Sequence, residues 1–384
     1  MNFEFVAPKR IIFGEGSVNK VKSIIPQMGK NALVVTGSGK VPINPLRKLL
    51  DDMDINYHIY RVHKEPDVHA IEAGILQSKS KKCDFIIAYG GGAVLDAGKT
   101  ISALMTNHGD LLTYLEVVGE GNKIKNEAAP MIALPTTAGT GTEVTKNAVI
   151  ISPEHHVKVS MRSPLMIPRV AIVDPVLTYT MPPSITASTG LDALTQVIEA
   201  YVSNKANPMT DSISREGIQR GAKFLQAAYK NGQDKIAREN MSLTSLFGGL
   251  ALANSGLGAV HGFAGVIGGM YDAPHGEICA CLLPYVMKYN IKALSLSLSK
   301  TNIYDRYKEI AVWLTGDQDA TITDGVKWIE NLVKELNMPN LQTIGIKQDD
   351  FTLIIQRAKI SSSMQKNPIE LKDAALGSIL REAY

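Results

Sequence analysis

The chain has little cysteine, with only Cys83, Cys279 and Cys281 among its 384 residues. An odd number of cysteines without a spacing framework argues against a disulfide scaffold and predicts a cytoplasmic protein. Cys279 and Cys281 are one residue apart and no second pair accompanies them, so we do not expect a zinc knuckle.

The sequence also lacks an excess of charge of either sign. Forty basic and 37 acidic residues leave a net charge of +3, and no basic run or interleaving of basic and aromatic residues occurs. These features argue against a nucleic-acid partner. A hydrophobic content of 45% and a charged content of 20% are typical of a soluble globular protein. The length is sufficient for two domains, each with its own core.

Long apolar runs are scarce as well. The N-terminal segment MNFEFVAPKR carries acidic and basic residues where a signal peptide would be apolar, so we expect no signal peptide. Residues 245–271 contain no Asp, Glu, Lys or Arg, but they include eight glycines and the polar Asn254, Ser255 and His261. We therefore predict a buried helix whose small residues allow close backbone approach, and no membrane partner.

The first half of the sequence alternates apolar strand patterns with amphipathic helix patterns, whereas the second half is helical throughout. The strand patterns are ALVVTG, HIYRV, FIIAYG, MIALPT and VAIVD. This alternation predicts a mostly parallel sheet covered on both faces. The Pro182–Pro183 pair separates the alternating pattern from the helical one. We therefore predict an α/β domain over residues 1–183 and an all-helical domain over residues 184–384.

Three consecutive glycines occur in AYGGGAVLDAGK, where a strand pattern gives way to a helix pattern. Glycine permits positive φ and lets a ligand approach the backbone, while the start of a helix attracts anions. The segment is therefore a candidate pyrophosphate site, although a tight turn that binds nothing has the same pattern.

A second turn, LPTTAGTGTEVT, follows the next strand pattern and contains Thr136, Thr137, Thr140 and Thr142. Hydroxyl groups at the carboxyl end of a parallel strand suit phosphate and ribose contacts. Together the two turns predict a dinucleotide site. Neither turn matches the GxGxxG fingerprint of dinucleotide-binding folds. The segment VVTGSGK around Gly37 does not match it either, because the third glycine is missing.

The segment GLDALTQVIEAYVS has a polar side as well as an apolar one. Asp192, Gln196 and Glu199 share one side of the predicted helix because of their spacing. If His261 and His275 met Asp192, the three would form an N₂O site for Fe²⁺ or Zn²⁺ with room for a substrate oxygen. The alternative is that His261 is a satisfied core histidine and His275 a surface loop residue.

Four segments, in this order, resemble the signatures of the iron-containing (group III) alcohol dehydrogenases. They are GGGAVLDAGK, PTTAGTGTEVT, GLDALTQVIEAYVS and HGFAGVIGGMYDAPHG, and the resemblance extends from FGEGS near the N-terminus to NPIEL near the C-terminus. It implies the dehydroquinate synthase-like fold, in which the two domains enclose a cleft. It also implies NAD(P) on the α/β domain and a divalent metal, Fe²⁺ or Zn²⁺, on the helical domain.

The resemblance assigns the metal ligands Asp192, His261 and His275. Gln196 stands where the family has a histidine ligand, so we expect it to contribute only a weak amide oxygen. Gly265 replaces a further histidine near the nicotinamide, which removes the usual proton-relay candidate and enlarges the pocket.

The cofactor residues implied by the resemblance lie mainly in the two turns. They are Gly91, Gly92, Ala93, Asp96, Thr136, Thr137, Thr140, Thr145, Lys158 and Leu177. Asp96 could instead cap its helix, and Lys158, which the resemblance places near the nicotinamide ribose as a catalytic residue, could be a solvated lysine. Gly37 ends its strand without a carboxylate and Lys40 is nearby, which favours NADP(H) over NAD(H).

The predicted function is reversible hydride transfer between NAD(P)H and a small aldehyde or ketone, with a metal as Lewis acid. The alternatives are a metal-independent carbonyl reductase resembling the maleylacetate reductases, a lyase resembling dehydroquinate synthase, and a catalytically weak binding protein. We expect a small alcohol or aldehyde substrate and a homo-oligomer, a dimer or larger.

Overall fold

The computed structural model describes residues 2–38, 42–155, 157–271, 273–297 and 301–384. By its internal contacts the chain divides into two compact units. An α/β unit comprises Val6–Thr137 and Gly141–Thr180, and a helical unit comprises Met181–Tyr384 together with Ala138–Thr140 and the N-terminal residues up to Phe5.

The described part of the α/β unit contains a six-stranded sheet in the order β1-β8-β5-β4-β2-β3, and every pair in it is parallel. Strands β6 and β7 form a separate antiparallel hairpin. The strands are β1 (Arg10–Phe13), β2 (Asn31–Gly37), β3 (Asn56–Val62), β4 (Phe85–Gly90), β5 (Met131–Pro135), β6 (Asn147–Ser152), β7 (Val157–Arg162) and β8 (Val170–Val173). The predicted parallel sheet is confirmed.

Helices cover both faces of the sheet. They are α1 (Val21–Ile24), α2 (Asn44–Asp51), α3 (Val68–Ser80), α4 (Gly92–Thr106) and α5 (Leu111–Tyr114). Alternate residues of the central strand β4 belong to two different apolar clusters: Ile86 packs with the α3 and α4 side, and Ile87 packs with the α1 and α2 side. A strand buried on both faces reads as a continuous apolar run, which is why FIIAYG was recognisable in the sequence.

The helical unit contains helices around one large apolar core. They are α6 (Pro183–Val202), α7 (Pro208–Lys230), α8 (Lys235–Ser255), α9 (Ala259–Met270), α10 (His275–Ser295), α11 (Thr301–Thr315), α12 (Ile322–Glu335), α13 (Leu341–Ile344), α14 (Phe351–Lys359) and α15 (Asp373–Glu382). Helix α6 is buried from Thr186 to Val202 apart from Thr189, so its polar residues as well as its apolar ones face protein.

The apolar, glycine-rich segment predicted as one buried helix is two helices, α8 and α9. They meet at an angle of 98° with a break of a few residues. Within the described residues, no single helix has the length and apolarity to cross a membrane, although this bent pair passes the same test when taken together. The bend occurs at Gly256, whose φ of +69° is the left-handed conformation that glycine adopts readily.

Candidate active site

The glycine turn between β4 and α4 lies at the carboxyl edge of the sheet, between β2 and β5. Gly91 precedes the first residue of α4 with φ of −77° and ψ of −173°, and no side chain among the described residues caps the helix. None of Gly90, Gly91 and Gly92 has positive φ, so this turn does not use the conformational freedom that glycine permits. Here glycine is needed for space, because a Cβ atom on Gly90 would lie 2.6 Å from Val94 Cγ2.

The start of α4 suits an anion because, in the part of the chain that the structure describes, no side-chain hydrogen bond caps it and its first backbone N–H groups are available. Gly92 and Ala93, both half-buried, form this start. On the neighbouring strand, Thr136 N donates to Gly90 O at 2.9 Å, and a Cβ atom on Gly91 would lie 3.3 Å from Thr137 Cγ2. The structure therefore brings Gly91, Gly92, Ala93, Thr136 and Thr137 together at one edge.

Asp96 and Thr145 belong to a buried network around Lys99, which is fully buried. Lys99 Nζ donates to Thr142 Oγ1 at 2.6 Å and to Thr145 Oγ1 at 2.9 Å, and it lies 3.0 Å from Asp96 Oδ1. Asp96 also accepts hydrogen bonds from Thr142 Oγ1 and the Val149 amide. Within this network, Asp96 and Thr145 hold the second turn against α4.

The other predicted cofactor residues are dispersed. Lys158 on β7 is ion-paired with Glu65, and Leu177 packs in the apolar core beneath β4. Thr140 is grouped with the helical unit, where its carbonyl accepts a bond from Gln196 Nε2 at 3.3 Å. Gly37 ends β2, and its carbonyl accepts a 3.4 Å bond from the exposed Arg61. Lys40 and its neighbour Gly39 lie outside the described residues.

In the helical unit, Asp192, His261 and His275 converge although they come from α6, α9 and α10. His261 Nε2 is 3.1 Å from Asp192 Oδ1, and His275 Nε2 is 3.8 Å from the same oxygen. Cys279, one turn after His275 on α10, joins them. One ligand atom from each of the four residues lies within 4.8 Å of the others. We call these four residues the donor cluster: Asp192, His261, His275 and Cys279.

Glu199 orients the His261 ring through Nδ1, the ring nitrogen that does not face Asp192. Its carboxylate accepts from His261 Nδ1 at 2.7 Å and from the Val260 amide at 2.7 Å. This hydrogen bond places a proton on Nδ1, so Nε2, which lies 3.1 Å from Asp192 Oδ1, is the nitrogen that can bind a cation in place of a proton. The same carboxylate satisfies amides at the start of α9, where negative charge is also favoured by the helix dipole.

Close helix packing, made possible by glycine, brings these side chains together. A Cβ atom on Gly276 would overlap Ser188 O on α6, so the start of α10 could not otherwise lie this close to α6. Likewise, a Cβ atom on Gly258 would lie 2.8 Å from Glu199 Oε1. Gly258 belongs to the glycine-rich segment 245–271, whereas Gly276 lies outside it.

Gln196 lies beside the donor cluster, on the same side of α6 as Asp192. Its Nε2 is 3.5 Å from Asp192 Oδ1. Its Oε1 is buried, and no hydrogen-bond donor to this atom is found among the described residues. A Cβ atom on Gly248 would come within 2.6 Å of Oε1. The amide group therefore presents its nitrogen, and not its oxygen, to Asp192.

Electrostatics couple the members of the donor cluster. Burial by itself lowers the pKa of His261, but Cys279 and the hydrogen bonds to Asp192 and Glu199 outweigh it and raise this pKa well above its ordinary value. The pKa of His275 is also raised. Burial raises the pKa of the Cys279 thiol, yet the two histidines reverse this and lower it. A cation that displaced protons from these side chains would bind more tightly as the pH rises.

Gly265, one turn beyond His261 on α9, is exposed, and a Cβ atom added there would meet nothing within 4 Å. Among the described residues, the position therefore has open space for a side chain, and enlargement of a substrate pocket by this glycine stays a prediction.

Sequence reasoning missed two members of this site. Cys279 was considered only with Cys281, although its spacing of four residues from His275 places both on one helix face. Glu199 was recognised as sharing the polar side of Asp192, but no role was assigned to it. Its role depends on the position of α9, which local spacing does not reveal.

Solved structures that superpose on the whole chain define its class. The alcohol dehydrogenase from Oenococcus oeni superposes with a TM-score of 0.92 at 32% identity and covers 100% of both chains. Sulfoacetaldehyde reductase from Bifidobacterium kashiwanohense, solved in complex with NAD⁺, superposes with a TM-score of 0.87 at 28% identity, over 99% of this chain and 98% of that one. Both relatives are oxidoreductases.

The family follows from the sequence comparisons. The family model described as iron-containing alcohol dehydrogenase matches residues 8–175, and that for the C-terminal part of the same family matches residues 186–384. Alcohol dehydrogenase 4 of Saccharomyces cerevisiae is 34% identical over 386 residues, which cover 99% of this chain and 98% of the relative. The chain therefore belongs to the iron-containing alcohol dehydrogenase family. The predicted class of enzyme, an alcohol oxidoreductase that uses NAD(P), is confirmed at the level of the family.

Proposed function

We propose that this enzyme catalyses metal-assisted, reversible hydride transfer between NAD(P)H and a small aldehyde or ketone. The observation that carries the proposal is the convergence of Asp192, His261 and His275 in the helical unit. A carboxylate and two imidazoles suit Fe²⁺ and Zn²⁺ better than Mg²⁺ or Ca²⁺, which prefer oxygen ligands alone.

The residues present fit such an ion. Asp192 supplies negative charge, and His261 and His275 supply nitrogen donors, of which His261 is held in the required tautomer by Glu199. When bound, the metal supplies Lewis acidity that polarises a carbonyl group. Gln196 could add its oxygen only after a rotation of its amide, since the nitrogen faces Asp192.

We propose that the dinucleotide binds at the carboxyl edge of the α/β unit. The uncapped start of α4 and the small residues Gly91 and Gly92 suit a pyrophosphate. The other predicted contacts to the dinucleotide stay predictions. They are Gly37, Ala93, Asp96, Thr136, Thr137, Thr140, Thr145, Lys158 and Leu177. Support comes from the relative solved with NAD⁺.

A preference for NADP(H) is proposed on charge grounds. No carboxylate ends β2 at Gly37, and the Arg61 guanidinium binds the Gly37 carbonyl at 3.4 Å. An acid at this position would repel a 2′-phosphate, whereas an arginine attracts one.

We propose that the two domains comprise residues 1–183 and 184–384 and that the enzyme is a homo-oligomer. We also propose that it acts in the cytoplasm, which fits three free cysteines. The open space at Gly265 suits a substrate bulkier or more polar than ethanol.

Metal analysis of the purified protein, combined with aldehyde-dependent oxidation of NADPH and NADH before and after chelation, tests the function. We expect one divalent ion per chain, loss of activity on chelation, its return on addition of Fe²⁺ or Zn²⁺, and a higher kcat/KM with NADPH. Full activity after complete removal of metal would instead support a metal-independent carbonyl reductase.

A further inference from the structure

We propose that Cys279 is a metal ligand in this enzyme beside Asp192, His261 and His275, and that its thiolate shifts the preference of the site toward Zn²⁺ over Fe²⁺. This inference rests on the proposed metal-assisted function and concerns the donor set that holds the ion.

The spacing of the donor atoms supports a shared ion. Cys279 Sγ is 3.6 Å from His275 Nε2 and 3.9 Å from His261 Nε2, and His261 Nε2 is 3.1 Å from Asp192 Oδ1. Around a tetrahedral zinc with Zn–N and Zn–O bonds of about 2.0–2.1 Å and a Zn–S bond of about 2.3 Å, neighbouring donors lie about 3.3–3.6 Å apart. Three of these separations are within about 0.4 Å of the expected values. The 3.8 Å between His275 Nε2 and Asp192 Oδ1 is about 0.5 Å longer than the value expected for two light donors.

Gln196 is less suited to this role than Cys279. Its amide nitrogen faces Asp192, and its buried oxygen points toward Gly248. A neutral amide oxygen is also a weaker ligand for a borderline metal than a thiolate. Cys279 is fully buried and its sulfur contacts both histidines, so its position already matches that of a donor.

Charge balance points in the same direction. A thiolate and the Asp192 carboxylate together neutralise a divalent cation, and both are buried, where an unbalanced charge is costly. Soft thiolate ligands select zinc over iron(II) more strongly than amide oxygen does. Zinc also accepts a fifth ligand, so four protein donors do not close the site to a carbonyl oxygen.

Cobalt substitution of the full-length protein tests the proposal with a readout other than activity. Co²⁺ bound to a thiolate gives a sulfur-to-cobalt charge-transfer band in the near ultraviolet. We expect this band in the wild type, its loss in Cys279→Ser, and its retention in Cys281→Ser. Cys281 is the matched control because it is buried on the same helix, while its sulfur donates to Ile278 O, outside the donor cluster.

Zinc-edge X-ray absorption of the wild type gives a second measurement that needs no variant. We expect one sulfur at about 2.3 Å from zinc. In competition between Zn²⁺ and Fe²⁺ under anaerobic conditions, Cys279→Ser should lower the zinc preference by at least about tenfold. Gln196→Ala should leave that ratio within about twofold, since we assign its amide no bond to the metal.

The outcomes separate this proposal from the function it rests on. A bound metal without a sulfur signal, or a larger loss of zinc preference in Gln196→Ala than in Cys279→Ser, would overturn the thiolate ligand and leave metal-assisted catalysis standing. Failure to bind any divalent ion would overturn both.

Discussion

The carboxyl edge of the α/β unit and the donor cluster of the helical unit are built in opposite ways. At the edge, consecutive residues of one turn, Gly90–Gly92, offer backbone groups at the start of α4. In the cluster, side chains from three helices meet, and Asp192 is 69 residues from His261 in the sequence. A site made of backbone tolerates changes in nearby side chains, whereas a site made of convergent side chains depends on helix packing at positions such as Gly276.

The two regions also differ in how buried charge is balanced. Lys99 and Asp96 neutralise each other within the protein and bond to neighbouring hydroxyls. In the donor cluster the Asp192 carboxylate and the Cys279 thiol face two histidines, whose ring nitrogens can exchange a proton for a cation. The first arrangement is structural, while the second is suited to binding.

The largest effect is expected from Asp192→Asn, which should break the donor cluster and leave the nucleotide edge intact. Metal content should fall to a trace and kcat/KM by at least about 10³-fold, because the anionic ligand and the Lewis acidity are lost together. The dissociation constant of NADPH, followed by fluorescence, should change by less than about twofold. Normal metal content in this variant would refute the ligand assignment.

Glu199→Gln tests whether orientation of His261 matters as much as the donors themselves. Loss of the carboxylate partner of Nδ1 should weaken metal binding by about 10–100-fold. The affinity is measured by competition with a chromophoric chelator. Glu216→Gln, an exposed glutamate paired with Arg220 on α7, is the control and should bind metal normally. Equal affinities in the two variants would argue against a tuning role for Glu199.

Glu143, in the second turn of the α/β unit, tests the balance of buried charge there. Burial raises its pKa to about 7 from an ordinary value of 4.5. The folded state therefore holds this proton more tightly than the unfolded state. Its contribution to stability is present below pH 4.5 and is lost as the pH rises through about 7.

Glu143→Gln should remove this dependence. Between pH 5 and pH 8, the wild type should lose about 1–3 kcal/mol more of its free energy of unfolding than the variant does. Urea unfolding at the two pH values measures the difference. The exposed Glu154→Gln is the control. Parallel pH profiles for wild type and Glu143→Gln would show that this carboxyl group is not perturbed by burial.

The smallest effect is expected from Arg61→Ala at the end of β3, beside Gly37. Because Arg61 is exposed, the preference for NADPH over NADH, measured as a ratio of kcat/KM values, should fall by only about two- to fivefold. Arg10→Ala is the control, since Arg10 is exposed on β1 at the opposite edge of the sheet. An unchanged ratio would remove Arg61 from the basis of the NADP(H) preference.

The sequence revealed the fold where local patterns dominate. Strands buried on both faces, such as β4, read as apolar runs, whereas β1, a four-residue strand at the sheet edge, and the β6–β7 hairpin were not predicted. In the site, Asp192, His261 and His275 were assigned through resemblance to a family. Their proximity results from close packing of α6, α9 and α10, a long-range property that spacing along one helix cannot encode. Cys279 was overlooked for a different reason, since its four-residue spacing from His275 on α10 is a local signal that the sequence does contain.

The position of Glu199 has a consequence for the dynamics of the helical unit. One carboxylate both orients a ring of the donor cluster and accepts the Val260 amide at the start of α9. Occupancy of the cluster and fraying of that helix are therefore thermodynamically linked. Slower hydrogen exchange at the Val260 amide should report metal loading from the backbone, without reference to turnover.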